Sequence, residues 1–205
     1  MRVIAGSAGG IRLAVSKHGV RPTMDRVKGA IFSSLGNAVI GARVLDLFAG
    51  SGALGIEALS RGASSAVFVE ANRQSAAIIE NNLAKTNLKG RVRQQDVFDF
   101  LRHASGAETF DIVFADPPYE KMESGDRFTE KLLSNEALSQ LVDANGSFVL
   151  EKPPAEALPE MKRWSLVRQK TYGATEVLFL SRIGNQKFAI RNSDNKSRAR
   201  EEFRG

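Results

Sequence analysis

Apolar positions along the chain follow two rhythms. Short continuous runs recur at Val44 to Leu45, Leu47 to Ala49, Ala66 to Val69, Ile112 to Ala115 and Phe148 to Leu150. Between them, apolar residues recur at three- and four-residue spacing. Continuous runs of this length suit strands buried on both faces, and the spaced stretches suit amphipathic helices. The pattern predicts strands at 43–48, 65–70, 91–95, 110–115, 146–151, 165–171 and 175–181. It predicts helices at 53–61, 73–87, 128–142 and 155–161. Strands alternating with helices imply an α/β fold, a mostly parallel sheet with helices on both faces. The last two strands, joined at Tyr172-Gly173-Ala174, read as an antiparallel hairpin.

The flanks read differently. Residues 1–42 form an expected appendage packed on the core. In it Val3-Ile4-Ala5 and Ile11 to Val15 can pair as a hairpin across Gly9-Gly10. Thr23 can cap a helix running to about Ser34, with Val27, Ile31 and Leu35 on one face and Gly36 at its end. Residues 43–182 are the expected catalytic domain. Residues 183–205 are polar, basic and poor in apolar side chains, which predicts a disordered tail.

Two stretches carry chemistry. In the first, the strand at Val44 runs through Asp46, Phe48 and Ala49 into Gly50-Ser51-Gly52, with Gly55 in the helix behind it. Glycines let a ligand approach the backbone, and a helix N-terminus offers unpaired N–H groups. Glu70, ending the next strand, can accept both hydroxyls of a ribose. Gly50-x-Gly52-x-x-Gly55 with Glu70 twenty positions after Gly50 also fits a dinucleotide fingerprint, which alone is a weak signal. Asp46 tips the balance, because a carboxylate beside the turn can pair with a ligand's ammonium group. S-adenosylmethionine carries an amino acid end, a ribose and an adenine.

The second stretch is Asp116-Pro117-Pro118-Tyr119, at the exit of the 110–115 strand. Consecutive prolines stiffen the turn and leave its carbonyls free to accept from an exocyclic NH2. Asp116 adds a charged acceptor and Tyr119 a stacking face. A plain Pro-Pro loop with a capping Asp is the bland alternative.

With these residues in view, the chain resembles the class I S-adenosylmethionine-dependent methyltransferases. More narrowly, it resembles the RsmD family, which methylates N2 of a guanine in small-subunit ribosomal RNA (guanine-966 of 16S RNA). The resemblance covers roughly residues 2–182. It rests on Arg2 to Gly6 with Arg21-Pro22-Thr23-Met24-Asp25-Arg26-Val27, on Asp46 to Gly52 with Gly55 to Ala58, and on Asp116 to Tyr119 with Tyr172-Gly173. The early turn Ser7-Ala8-Gly9-Gly10-Ile11-Arg12 departs from the family in carrying one basic residue. The resemblance implies a Rossmann-like seven-stranded sheet whose last hairpin supplies the antiparallel edge. It also implies an RNA-binding face that includes Arg21, Thr23 and Arg26. A helix start with ordinary solvent-facing charges is the bland alternative for these three.

The implied site follows residue by residue. Asp46 and the Phe48 to Gly52 turn hold the methionine end. Glu70 holds the ribose, and Ala71 and Asn72 lie along the adenine. Asp96 meets the adenine amino group and Val97 its ring, although Asp96 serves equally as a helix cap before Phe98. Asp116 and the Pro117 carbonyl accept from the amine that is methylated, and Tyr119 stacks on its base. Tyr172 shapes the base pocket or is a core residue. Glu57 reads as an ordinary helix-surface acid, and Trp164 as an anchor for the final strands. His18 and His103 lack acidic or cysteine neighbours at metal spacing, so no metal is expected.

Composition sharpens the partner. Net charge is +6, but residues 1–42 hold six basic and one acidic residue, while 43–182 hold seventeen and nineteen, and 183–205 six and three. Basic ends on a near-neutral core suit a polyanion such as 16S RNA or the 30S particle. Absent cysteine excludes disulfides and thiolate zinc sites. No run of about 18 apolar residues predicts a membrane span, and the N-terminus has no apolar signal core; with cysteine absent, a cytoplasmic protein is expected, and a monomer is the expected state, although nothing in the sequence fixes it. Four rivals remain open at this level. They are an amino-methyltransferase for DNA adenine or cytosine, a protein glutamine methyltransferase, a nicotinamide oxidoreductase, and an RNA-binding module without catalysis.

Overall fold

A computed structural model describes residues 1–15, 24–104, 108–118 and 127–183. Seven strands form one sheet: β1 Arg43–Leu47, β2 Ser65–Glu70, β3 Arg91–Gln94, β4 Phe110–Ala115, β5 Val142–Lys152, β6 Trp164–Tyr172 and β7 Thr175–Arg182. Their order is β3-β2-β1-β4-β5-β7-β6. β7 lies between β5 and β6 and runs antiparallel to both, while the remaining neighbours pair in parallel. The expected mostly parallel sheet with an antiparallel edge pair is therefore present.

Helices α1 Met24–Leu35, α2 Ala53–Ser60 and α3 Arg73–Thr86 cover one face. Their Ile31, Phe32, Ile56 and Ile79 pack with Val44, Phe68 and Phe114 of the sheet. Helices α4 Val97–His103, α5 Phe128–Ser134 and α6 Glu136–Leu141 cover the other, where Leu101, Leu132 and Leu138 meet Leu45, Val113 and Phe148. Alternate strand residues thus feed two cores, which is why the strands read as continuous apolar runs.

Four expectations need correction. The 128–142 stretch is two helices broken at Asn135, whose extended backbone (φ −74°, ψ 119°) starts α6 while its side chain accepts from Leu138 N at 2.8 Å. The helix expected at 155–161 does not form. Pro159 lacks the N–H that would donate to Ala155 O inside such a helix, and Lys152 Nζ takes the carbonyls of Pro153 (2.8 Å) and Glu156 (2.6 Å). β5 begins at Val142, four residues before the expected start. The N-terminal hairpin forms across Gly9-Gly10 but pairs residues 1–3 with 10–13 instead of 3–5 with 11–15: Arg2 bridges Arg12, with Val3 N donating to Ile11 O (2.9 Å), Gly10 N to Val3 O (2.8 Å) and Leu13 N to Met1 O (3.1 Å).

Trp164 anchors the last strands as expected: it is buried on Phe148 and donates from Nε1 to Leu133 O at 3.0 Å. Among the described residues no helix is long and apolar enough to cross a membrane. Of the expected tail at 183–205, residues 184–205 lie outside the described residues.

Candidate active site

The chain leaves β1 for β2 and β3 on one side, then returns to place β4 on the other. Between β1 and β4 the strand order reverses, and a crevice opens past their C-terminal ends. A cleft of about 630 Å³ lies there, bordered by Asp46, Phe48 to Ser51, Glu70 to Asn72, Asp96, Val97 and Asp116 to Pro118.

Asp46 sits at the cleft floor, 2% exposed, and accepts from Gly55 N at 2.8 Å. Burial pushes its carboxyl up to about 8 against the pull of that N–H, and the negative charges of Asp116 and Glu70 add to the rise. A group so placed favours a cationic ligand. Gly55 permits the contact by its bareness, since a Cβ there would lie 2.3 Å from the Phe68 ring. Phe48, directly after β1, lies in the left-handed region (φ 55°), a rare state for an aromatic residue, and turns the chain toward Gly50 (φ 56°) and Gly52 (φ 78°).

Glu70 holds that turn. Its Oε2 accepts from Gly50 N and its Oε1 from Asn72 N, both at 2.8 Å. Each oxygen keeps a second lone pair for a ligand. Asn72 caps α3, and Asp96 caps α4 by accepting from Phe98 N (2.8 Å) and Asp99 N (3.0 Å). The capping alternative for Asp96 is thus realised at the cleft edge, one residue before the buried Val97. Asp116 is half-buried, Pro117 buried and Pro118 exposed.

Other sequence candidates lie elsewhere. Gly52 is buried as the residue preceding α2, and the cleft lining does not include it. Arg26 is exposed on α1, and Tyr172 is half-buried against the core; neither borders the cleft. Arg21, Thr23, Tyr119 and His18 lie outside the described residues. His103 is exposed. Among the described residues no group of His, Asp or Glu is arranged to hold a metal ion.

Sequence reasoning missed several wall residues. Lys28, Phe128, Glu151 and Thr175 border the cleft. Phe128 meets Phe48 edge-on at 5.4 Å and stacks on Phe98 at 6.0 Å, making an aromatic wall beside Val97. Glu57 is corrected most sharply: it is fully buried, not a surface acid. It accepts from Ile4 N (2.7 Å) and Ala5 N (3.1 Å) and pairs with Lys28 (3.0 Å) and Arg61 (2.7 Å). Asn82 of α3 joins the N-terminal segment to the glycine turn, donating from Nδ2 to Ala14 O and Ser51 O, each at 2.9 Å. Residues 1–15 are thereby fixed beside the cleft.

Comparison with known proteins agrees with this architecture. The family model described as "Conserved hypothetical protein 95" matches residues 1–181. The chain is 36% identical over 180 residues to ribosomal RNA small subunit methyltransferase D of Escherichia coli (strain K12), covering 84% of this chain and 85% of that one. A solved hypothetical protein of Thermus thermophilus superimposes with a TM-score of 0.74 at 33% identity, covering 88% of this chain and 99% of that one. The 16S rRNA N2 G1207 methyltransferase (RsmC) of the same organism, solved with AdoMet and guanosine, superimposes with a TM-score of 0.60 at 26% identity, over 81% of this chain and 44% of that one. The sheet is that of a Rossmann-like class I methyltransferase, and the chain belongs to the RsmD family.

Proposed function

We propose that this protein transfers a methyl group from S-adenosylmethionine to the exocyclic N2 of a guanine in small-subunit ribosomal RNA, guanine-966 in 16S numbering. The observation that carries this reading is the Asp116-Pro117-Pro118 corner sharing one cleft with the buried Asp46 and the glycine turn. The names of its relatives, ribosomal RNA small subunit methyltransferase D among them, point to the same RNA. The RsmC structure, named for N2 methylation and solved with guanosine, favours the amine.

The residues fit the cofactor chemically. S-adenosylmethionine, when bound, supplies a methyl group already activated by a positively charged sulfur. Asp46, held in an acidic, desolvated setting, suits the cofactor's ammonium group, and the turn at Gly50 and Ser51 its amino acid end. Glu70 offers its remaining lone pairs to the ribose hydroxyls. Ala71, Asn72, Asp96 and Val97 frame the adenine, with Asp96 accepting from its amino group and Phe128 closing the far side.

The exocyclic amine of guanine shares its lone pair with the ring and is a poor nucleophile. Asp116 and the Pro117 carbonyl accept its two N–H bonds, turn the lone pair toward the methyl carbon and stabilise positive charge growing on nitrogen. In-line alignment at near-attack distance lowers the barrier further. Tyr119 stacks on the base once it has left its own stack. Arg21, Thr23, Arg26 and Tyr172 contribute to the RNA-binding side. The substrate is free 16S RNA or the 30S particle, met by a cytoplasmic monomer.

Incubation with radiolabelled cofactor tests the assignment. Unmodified 16S RNA, 30S particles lacking the mark and DNA are compared, followed by mass analysis of the labelled nucleoside. Label in N2-methylguanosine of the RNA is expected. Label in DNA, or on another nitrogen, would overturn the substrate.

A further inference from the structure

One carboxylate in the cleft holds neither the cofactor nor the reacting amine. Asp46, Glu70 and Asp96 are absorbed by the cofactor and Asp116 by the reacting amine, but Glu151 also borders the same space. Its position is fixed by strand register. β4 and β5 pair in parallel with Val113 opposite Phe148 and Ala115 opposite Leu150. Asp116 and Glu151 each follow one residue later. They therefore stand side by side across neighbouring strands, which lie about 4.8 Å apart.

The two side chains also share a face. Ala115 and Leu150 pack into the core beneath α4 to α6. Phe114, Val149 and Val177, the cross-strand partner of Glu151, pack into the core beneath α1 to α3. Alternation along the strands sends Asp116 and Glu151 to that second face, where Lys28 of α1 and Thr175 of β7 also border the cleft.

We infer that Glu151 determines which base is accepted, its carboxylate taking the ring N1–H of guanine while Asp116 holds the adjacent N2 amine. This rests on the guanine-N2 reading above. Guanine alone presents a ring N–H donor beside an exocyclic amine. Adenine and cytosine present a ring-nitrogen lone pair at that place, which a facing carboxylate repels. A flipped base is read on this edge, and a buried polar group left without its partner rejects the wrong base.

Base analogues separate the possibilities. The RNA substrate is prepared with guanine, 2-aminopurine or inosine at the modified position. 2-Aminopurine keeps the amine but has a lone pair at N1, whereas inosine keeps N1–H but lacks the amine. Wild-type protein is expected to favour guanine over 2-aminopurine by about tenfold to a hundredfold in kcat/KM and to leave inosine unlabelled. Glu151→Gln, whose amide can donate to N1 of 2-aminopurine, is expected to bring that ratio near unity with S-adenosylhomocysteine affinity unchanged. Glu151→Asp should retain the preference at a lower rate.

A wild-type protein without preference would overturn the inference. So would a Glu151→Gln protein that loses rate on both bases equally, with the ratio intact. Should Glu151→Gln fail to bind the cofactor product, Glu151→Ala decides by the same ratio. Methylation of inosine would instead overturn the N2 reading itself.

Discussion

Asp46 Oδ2 accepts from the backbone N–H of Gly55 at 2.8 Å, and the same glycine lets α2 lie directly on Phe68. One missing side chain thus sets both the helix position and the cleft floor. A Cβ at residue 55 would fall 2.3 Å from Phe68 Cε1 and 3.1 Å from Asp46 Oδ2. Gly55→Ala must displace α2, so it is expected to destabilise by about 1–3 kcal/mol and to weaken cofactor binding. Urea unfolding and calorimetric titration with S-adenosylhomocysteine measure the two effects.

Asp46 gives the cofactor-free protein a pH signature. Its carboxyl titrates at 3.8 when unperturbed and at about 8 in the fold. Between those values the folded state keeps a proton that the unfolded state has released, so stability falls as pH rises. This one group contributes a slope of about 1.4 kcal/mol per pH unit. Above about pH 8 its contribution is flat. A bound ammonium group favours the carboxylate, so cofactor binding at about pH 7 should release close to one proton. Titrations in buffers of different ionisation enthalpy count that proton, and Asp46→Asn should abolish its release.

Glu57 joins the N-terminal segment to the catalytic core. Removing its carboxylate takes the counter-charge from Lys28, itself 3% exposed and left with Arg2 O, and the acceptor from two backbone N–H groups. Glu57→Ala is expected to cost about 3–5 kcal/mol. Chemical denaturation checks the loss, and limited proteolysis should show earlier cleavage near residues 1–15.

Glu70 organises the glycine turn before any ligand arrives, through Gly50 N and Asn72 N. Glu70→Ala removes both charge-assisted bonds and the acceptors for the ribose. Affinity for S-adenosylhomocysteine should fall by roughly tenfold to a hundredfold, on the order of 1.5–3 kcal/mol. Calorimetry at constant pH checks it.

The parts of this molecule that sequence reveals are those decided locally. The runs at β1, β2 and β4 are apolar on both faces and bounded by acids or glycines, so strand, turn and cleft residues read together. Asn135 hides in the 128–142 stretch because Leu133, Ala137 and Leu141 keep helical spacing across the break. The false helix at 155–161 fails through Lys152, which is buried between β5 and β7, pairs with Glu176 at 2.8 Å and captures the loop carbonyls. Glu57 looks like a surface acid because its partners lie at residues 4, 5 and 28, far off in sequence. Glu151, Thr175 and Phe128 join the cleft only after the sheet has assembled, and no local spacing connects them to Asp116.

In the proposed function the Asp116 corner presents a guanine amine for methylation. Single-turnover transfer from labelled cofactor to unmodified 16S RNA by the wild-type and Asp116→Ala proteins tests it most directly. Wild-type protein is expected to yield N2-methylguanosine. Transfer by the variant should be slowed by about a hundredfold or more, with RNA and cofactor affinities preserved. Equal transfer by both proteins, or label on any other nucleoside, would contradict it.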